Sequence, residues 1–151
     1  MKNKFINFLV VIMFLGVGVF LVGSAPKNFK PEDIKYVKIA GKEIKVELAL
    51  TEVEQNKGLS GRSNLMENSG MLFVFDKPEK YSFWMKDMKF SIDIIWISEE
   101  MKVVYVAQDT QPETFPKTFG PEMDAKYVLE VEAGFSGKNN LKAGDEVLFT
   151  Y

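Results

Sequence analysis

Residues 36–50, YVKIAGKEIKVELAL, decide the fold class of this 151-residue chain. On both sides of Gly41, apolar residues recur there at every second position. Such alternation is typical of a half-buried β-strand, and a glycine between two alternating runs is typical of a hairpin turn. The stretch therefore predicts two paired strands, Tyr36–Ala40 and Glu43–Leu50. The residues that share one face of the second strand are Ile44, Val46, Leu48 and Leu50.

Short β-type runs continue to the end of the chain. Thr51 and Glu54 have the spacing of a capping box, and Gly58 is placed to end the short helix that this box would begin. Strands do not alternate with helices in a βαβ order, so the sequence predicts a mainly β fold. We expect a compact antiparallel barrel or sandwich of seven or eight short strands with two short helices. The remaining predicted elements are strands at Met71–Phe75, Tyr81–Lys86, Ile92–Ser98, Lys102–Ala107, Tyr127–Glu132 and 147–151, and a helical turn at Ala133–Asn139.

The first 25 residues form a separate segment. Lys2 and Lys4 precede an apolar run from Phe5 to Gly23, which is interrupted by Asn7. As a helix, a run of this length spans roughly 28 Å, close to the thickness of the bilayer hydrocarbon. A buried core helix is a poorer explanation, because the run is apolar on every side. It predicts an N-terminal hydrophobic helix that either anchors the body outside the cytoplasm or is a signal cleaved after Ser24.

Composition sets the domain organisation and excludes several classes of function. Residues 26–35 are predicted to be a linker, and residues 36–151 a single globular domain. Lys2 and Lys4 are two of the 19 basic residues, so residues 26–151 carry 17 basic against 21 acidic side chains. This mildly acidic body does not favour nucleic-acid binding. The chain has no Cys and no His, which removes thiol chemistry and the commonest general base and metal ligand. We expect no cofactor and no metal site.

Arg62 is a candidate binding residue because it is the one arginine in a chain with 18 lysines. Its planar guanidinium matches a carboxylate or an anionic ligand in a way that lysine does not. The structural alternative, which we favour, is a salt bridge to Asp93 or Glu130.

The segment Tyr81–Lys86 is a candidate aromatic surface. Phe83 and Met85 alternate with Ser82 and Trp84, so one face should enter the core and the other needs a cover. The long stretch 108–124 contains three prolines and has no periodicity, and its Phe115 and Phe119 are suited to cover Trp84. Trp84, Lys86, Phe115 and Phe119 are therefore predicted binding residues. The stretch is either a mobile lid or a static cover, and core packing remains the simpler explanation of the aromatic residues.

Asp87 and Asp93 form the best carboxylate pair for acid–base chemistry. Their spacing does not fix their separation in space. Asp93 shares strand parity with Ile95 and Ile97, which favours an inward and structural carboxylate. No catalytic motif accompanies the pair, so no catalytic residue is assigned, and Asp87 and Asp93 are predicted to be binding residues.

A series of short motifs across the body resembles a known family. They are Glu47-Leu-Ala, Thr51-Glu52, Gly58-Leu59, Arg62, Leu65, Gly70-Met-Leu-Phe73, Phe75, Phe83-Trp-Met-Lys86, Asp93-Ile-Ile, Tyr127-Val-Leu-Glu130, Ala133-Gly134 and Gly144-Asp145. In this order they resemble the family catalogued as domain of unknown function 192. Asp87-Met88 stands where its members commonly have Asn-Thr. The resemblance implies a compact β-rich fold, frequently behind an export signal, and it supplies no activity.

These observations lead to three hypotheses about function. The first is an exported or membrane-tethered domain that binds an extracytoplasmic ligand or protein without catalysis. The second is a cell-envelope enzyme in which Asp87 and Asp93 act beside Arg62. The third is a structural subunit of a membrane complex. Convergence of carboxylates in a concave pocket would favour the enzyme, and an apolar patch around Trp84 would favour the binding module.

Overall fold

The computed structural model describes residues 30–151. The predicted N-terminal helix, the alternative cleavage site after Ser24 and residues 26–29 of the predicted linker lie outside the described residues. Within residues 30–151, no helix combines the length and the apolar character that crossing a bilayer requires.

The described residues form a mainly β domain with two short helices, as predicted. The strands are β1 (Tyr36–Ile39), β2 (Lys42–Ala49), β3 (Ser69–Glu79), β4 (Phe83–Trp84), β5 (Ile92–Ile97), β6 (Val103–Thr110), β7 (Thr118–Phe119), β8 (Ala125–Glu132) and β9 (Val147–Thr150); the helices are α1 (Glu52–Lys57) and α2 (Phe135–Lys138). Seven strands make one sheet in the order β6-β5-β8-β3-β2-β1-β9, and β4 pairs with β7 in a separate two-stranded sheet.

The predicted hairpin around Gly41 is confirmed. β1 and β2 pair in antiparallel register from Tyr36 opposite Lys45 to Ile39 opposite Lys42. Gly41 adopts φ +71°, a left-handed conformation that a glycine reaches without the steric cost of a side chain. Leu50 lies beyond the strand and is 36% exposed, so the shared apolar face ends at Leu48.

The expectation that no βαβ unit occurs was wrong. β2 and β3 are parallel neighbours, with Glu47 opposite Met71, and the connection between them contains α1. A parallel pair needs a crossover connection rather than a tight turn. Here that crossover is a six-residue helix followed by the irregular segment 58–68. The sequence predicted this short helix but did not indicate that the strands on its two sides are parallel neighbours.

The sheet is curled into a half-barrel, so the predicted compact antiparallel barrel or sandwich is confirmed in part. Its edge strands β6 and β9 approach each other at one end, where Lys102 and Glu146 form an isolated bridge. Backbone hydrogen bonds from Val103 N to Asp145 O, 2.9 Å, and from Val147 N to Met101 O, 2.9 Å, strengthen this contact. The two edges are therefore joined where these strands begin, although β6 and β9 do not form a continuous ladder.

The curled sheet is apolar on both faces. One core cluster includes Val37, Ile44, Leu72, Ile95 and Leu129, and the other contains Phe73, Met85, Ile94, Trp96 and Val128. Every residue of β5, IDIIWI, is buried, which explains its nearly continuous apolar sequence. The second cluster is covered by segments outside the main sheet, from which Leu59, Met85 and Phe119 pack on it.

Three elements depart from the predicted boundaries. β3 continues to Glu79, beyond the predicted strand end at Phe75. The predicted strand Tyr81–Lys86 is reduced to β4, because its partner is the two-residue β7 rather than the main sheet. The stretch 108–124 is more ordered than expected, since β6 runs to Thr110 and β7 lies within it.

Candidate functional site

The irregular segment 58–62 follows α1 and is fixed at both ends. The predicted capping box is present at the start of α1: Glu54 N donates to Thr51 Oγ1 at 3.3 Å, and Thr51 N donates to Glu54 Oε2 at 2.9 Å. The bond that the Glu54 carboxylate accepts from Thr51 N, with one from Leu50 N, holds the pKa of Glu54 below its usual value. Gly58 ends the helix with φ +48°. The local sequence therefore determines where the chain leaves the helix.

Segment 58–62 is docked on the backbone of Lys86 and Asp87. Ser60 Oγ donates to the carbonyl oxygen of Lys86 at 2.8 Å, and Gly61 N donates to that of Asp87 at 2.9 Å. The side chains of Lys86 and Asp87 are exposed. These two predicted binding residues thus contribute backbone acceptors that hold the segment in place.

Arg62 forms a bidentate salt bridge with Glu47, and the prediction that its partner would be Asp93 or Glu130 was wrong. Arg62 Nη1 donates to Glu47 Oε1 at 2.6 Å and Nη2 donates to Oε2 at 2.8 Å. Hydrogen bonding to Arg62 lowers the pKa of Glu47. Glu47 is preferred because the parallel pairing of β2 with β3 places it directly beneath segment 58–62. Arg62 is also close enough to Glu130 for the charge of that carboxyl to raise the arginine pKa.

Glu130 lies on the same row of the sheet as Glu47. Across the strands this row runs Glu47, Met71, Glu130 and Ile94, so both direct neighbours of Glu130 are apolar. The residue is 5% exposed, and among the described residues no hydrogen-bond partner reaches its Oε2. Burial raises the pKa of this carboxyl from 4.5 to about 8, while the nearby Arg62 opposes the shift. Glu130 is therefore mainly protonated at neutral pH.

A cleft of about 470 Å³ lies above Glu130, between α1 and the segment 81–84. Its volume is within the range of small-molecule sites. Glu130 and Gly58 contribute to the base, and a β-carbon built on Gly58 would lie 3.8 Å from Glu130 Oε2 and 3.3 Å from the Phe73 ring. The aromatic residues that line the described part of the cleft are Phe73, Phe75, Tyr81, Phe83 and Trp84.

The rings of the cleft wall are packed against one another. Phe75 and Tyr81 are stacked with ring centroids 3.5 Å apart, and Phe83 makes an edge contact with Phe73 at 4.8 Å. Trp96 Nε1 donates to the carbonyl oxygen of Tyr81 at 2.8 Å, which fixes the start of this wall. The wall is held by a fully buried indole beneath it. The lining is therefore largely formed before any ligand arrives.

Two polar groups of the lining are already engaged within the protein. Gln55 Nε2 donates to the carbonyl oxygens of Val74 at 3.0 Å and Ala49 at 3.4 Å. Ser60 is committed to Lys86. The other polar side chains of the lining are Glu52, Asn56, Lys57, Ser82 and Thr118, which are exposed.

The structure brings Trp84 together with the segment 108–124. Trp84 is opposite Thr118 in the β4–β7 sheet and makes an edge contact with Phe115, with centroids 6.1 Å apart. Phe119 is opposite Phe83 and packs on the second core cluster. Trp84 and Phe115 remain 52% and 44% exposed, so the segment covers the Trp84 face in part. Trp96, by contrast, is fully buried and does not share this surface.

Asp93 is a structural carboxylate, as its strand parity predicted. It is fully buried; its Oδ1 accepts the N–H groups of Asp109 at 2.8 Å and Gly134 at 3.1 Å. Its Oδ2 accepts the N–H of Ser136 at 2.7 Å. Asp93 thereby joins β6 to the start of α2. Asp87 is exposed, so the two aspartates do not form an accessible pair.

Sequence reasoning missed Glu130 as a site residue. The available signal was a carboxylate in the interior of the apolar run YVLEVE, at the same strand parity as Val128, whereas Glu132 stands at the end of that run. Within residues 30–151, no group of three or more acidic side chains is arranged to hold a metal ion.

Fold and site together define a half-barrel domain with an aromatic cleft based on a buried carboxyl group. A family model, domain of unknown function 192, described as "Uncharacterized ACR", matches residues 35–149, and the chain belongs to this family. The resemblance of its motifs is thereby confirmed.

Two solved structures share the fold. A protein of unknown function from Novosphingobium aromaticivorans is 28% identical, with a TM-score of 0.72 over 83% of this chain and 94% of its own. A putative transcription regulator from Sinorhizobium meliloti is 23% identical, with a TM-score of 0.70 over 76% of this chain and 90% of its own. The comparison with curated proteins gave no match.

Proposed function

We propose that this chain is a non-catalytic binding module that holds a small molecule in the aromatic cleft. The observation that carries the proposal is the buried Glu130 carboxyl, which lacks a partner for Oε2 among the described residues and contributes to the base of the cleft. Buried polar groups in folded proteins are normally hydrogen-bonded, and an unpartnered one in a preformed pocket is well placed to receive a ligand.

The location of the module is part of the same proposal. The apolar run 5–23 supports a domain held outside the cytoplasm, either tethered by this run or released by cleavage after Ser24. A ligand from the extracytoplasmic space, rather than nucleic acid, then fits the mildly acidic body.

The carboxylate enzyme is less well supported by the geometry. All three hydrogen bonds that Asp93 accepts come from backbone N–H groups, and its side chain is fully buried. A general acid or base must come within hydrogen-bond reach of its substrate. Arg62 is likewise committed to Glu47. Two of the three residues of that hypothesis, Asp93 and Arg62, are therefore used to hold the fold.

Amide spectra of the full chain in lipid nanodiscs test the proposal. A panel of small amines, carboxylates, alcohols and sugars is titrated into the wild type, Trp84→Ala and Tyr105→Ala. Tyr105 is a matched control, since it is an exposed aromatic residue that does not line the cleft. We expect a compound that shifts the cleft amides and binds Trp84→Ala at least about fivefold more weakly, with Tyr105→Ala unchanged. Equal affinity for both variants, or shifts confined to other surfaces, would refute the proposal.

A further inference from the structure

Glu130 needs a hydrogen-bond partner that residues 30–151 do not supply. Its neighbours on the sheet, Met71 and Ile94, have no hydrogen-bond donors in their side chains. Arg62, whose charge acts on Glu130, directs both Nη atoms to Glu47. The charges of Arg62 and Glu47 cancel, so an ionised Glu130 would leave one negative charge uncompensated at the base of the cleft. A cation from the cleft would compensate that charge.

The aromatic lining favours an organic cation over other ligands that could reach Glu130. Ammonium groups are attracted to the faces of aromatic rings, most strongly to that of Trp. Trp84 lines the cleft and is half-exposed, so part of its indole is open to a ligand. A cleft of about 470 Å³ also leaves room for an apolar body beside the charged group.

Polyhydroxylated and anionic ligands fit the cleft less well. A sugar requires several free donors and acceptors inside the cleft. The partly buried polar side chains Gln55, Ser60 and Tyr81 are already bonded to backbone carbonyls, so the polar side chains left for a sugar are mainly those exposed to water. An anion would meet the exposed carboxylate of Glu52, and it would gain no ion pair from Arg62, which is occupied by Glu47. Lys57 is exposed at the end of α1, so its positive charge does not offer an anion a partner at the base of the cleft.

We infer that the cleft binds a cationic amine with an apolar body, whose ammonium group pairs with the carboxylate of Glu130 beside the aromatic rings. This inference rests on the proposed function and specifies the class of its ligand. It makes Glu130 the counter-ion of the ligand.

Binding of such a ligand is coupled to the loss of a proton. Glu130 is protonated at neutral pH because burial raises its pKa to about 8, so pairing with an ammonium group releases that proton to solvent. The charged and titratable groups around it are Arg62 and Glu47 beside the base, and Glu52, Lys57 and Tyr81 in the lining. For a permanently charged ligand, affinity should rise about tenfold per pH unit up to about pH 8 and then level off.

A series of probes with similar apolar bodies tests the inference on the full chain in nanodiscs. The probes are 2-phenylethylamine and phenyltrimethylammonium as cations, 2-phenylethanol as the neutral compound and 3-phenylpropionate as the anion, with methyl glucoside as the polyol. We expect both cations to bind at least about tenfold more tightly than the other three. The position of shifted amides shows whether each probe enters the cleft.

Glu130→Gln separates the charge of the residue from its shape. This variant should lose at least about tenfold in affinity for phenyltrimethylammonium and all of the pH dependence, while its affinity for 2-phenylethanol stays within about threefold. Glu52→Gln is the matched control, because Glu52 is an exposed carboxylate of the same cleft, and we expect less than about a threefold effect. If Glu130→Gln does not fold, proton release by the wild type is measured instead by calorimetry in buffers of different ionisation enthalpy.

The outcomes distinguish the inference from the proposed function. If the alcohol, the anion or the glucoside enters the cleft at least as tightly as the cations, the inference is overturned and the binding module stands. Equal binding of the cations by the wild type and Glu130→Gln, or no proton release, also overturns the inference. If none of the five probes shifts cleft amides at about 10 mM, both are rejected.

Discussion

Replacing Asp93 by asparagine should destabilise the domain by about 2–4 kcal/mol. The carbonyl oxygen of the new amide can keep the two bonds that Asp93 Oδ1 accepts, from Asp109 N and Gly134 N. The amide nitrogen then faces the N–H of Ser136, so that a 2.7 Å charge-assisted bond is replaced by two opposed donors. A buried donor left unsatisfied costs about 1–3 kcal/mol, and weakening the two retained bonds from charged to neutral adds about 1 kcal/mol.

Urea unfolding followed by tryptophan fluorescence measures this cost, because Trp96 is fully buried in the native state. Asp87→Asn is the matched control. Asp87 is exposed and has φ +57°, a conformation that asparagine also tolerates, so we expect a change within about 0.5 kcal/mol. If the two substitutions change the free energy of unfolding equally, the structural role of Asp93 is refuted.

Three further predictions concern Glu130, Arg62 and the N-terminal segment. Since the pKa of Glu130 is raised from 4.5 to about 8, the wild type should lose about 2–5 kcal/mol of stability relative to Glu130→Gln as pH rises between these values. Parallel unfolding curves for the two proteins would contradict this. Arg62→Ala should lower the free energy of unfolding in urea by about 1 kcal/mol, because the side chain of its partner Glu47 is 61% exposed. Lys38→Ala, at the similarly exposed pair with Glu43, is the control and should cause no measurable change. A loss of stability above about 3 kcal/mol in Arg62→Ala would show that Arg62 compensates a buried charge. Protease added outside intact spheroplasts should digest residues 36–151, and protection until lysis would place the body inside the cell.

Local signals in the sequence predicted the local structure correctly. The hairpin at Gly41, the capping box at Thr51 and the helix end at Gly58 each depend on residues within a few positions of one another. Asp93 could also be assigned as inward, because alternation along one strand fixes the face of each side chain. These features need no knowledge of which strands are neighbours.

Features that depend on strand order were not predictable from one sequence. Arg62 pairs with Glu47 because β2 and β3 are parallel neighbours, which the six-residue helix between them does not indicate. Glu130 is recognisable as unpartnered once Met71 and Ile94 are placed on either side of it. Its parity in the strand indicated burial, but the absence of a donor is a property of the assembled sheet.

The pairing of β1 with β9 joins the two ends of the described domain. Tyr36 is opposite Thr150, and Lys35 N donates to Thr150 O at 2.9 Å. Adjacent termini favour circular permutation, for example with new ends in the exposed turn at 99–100.

The adjacent ends of the described domain also determine its mechanical response. Because the strands are antiparallel and their outer ends are adjacent, tension applied between Lys35 and Tyr151 would break the β1–β9 ladder one hydrogen bond at a time, unzipping this edge before the central strands bear load.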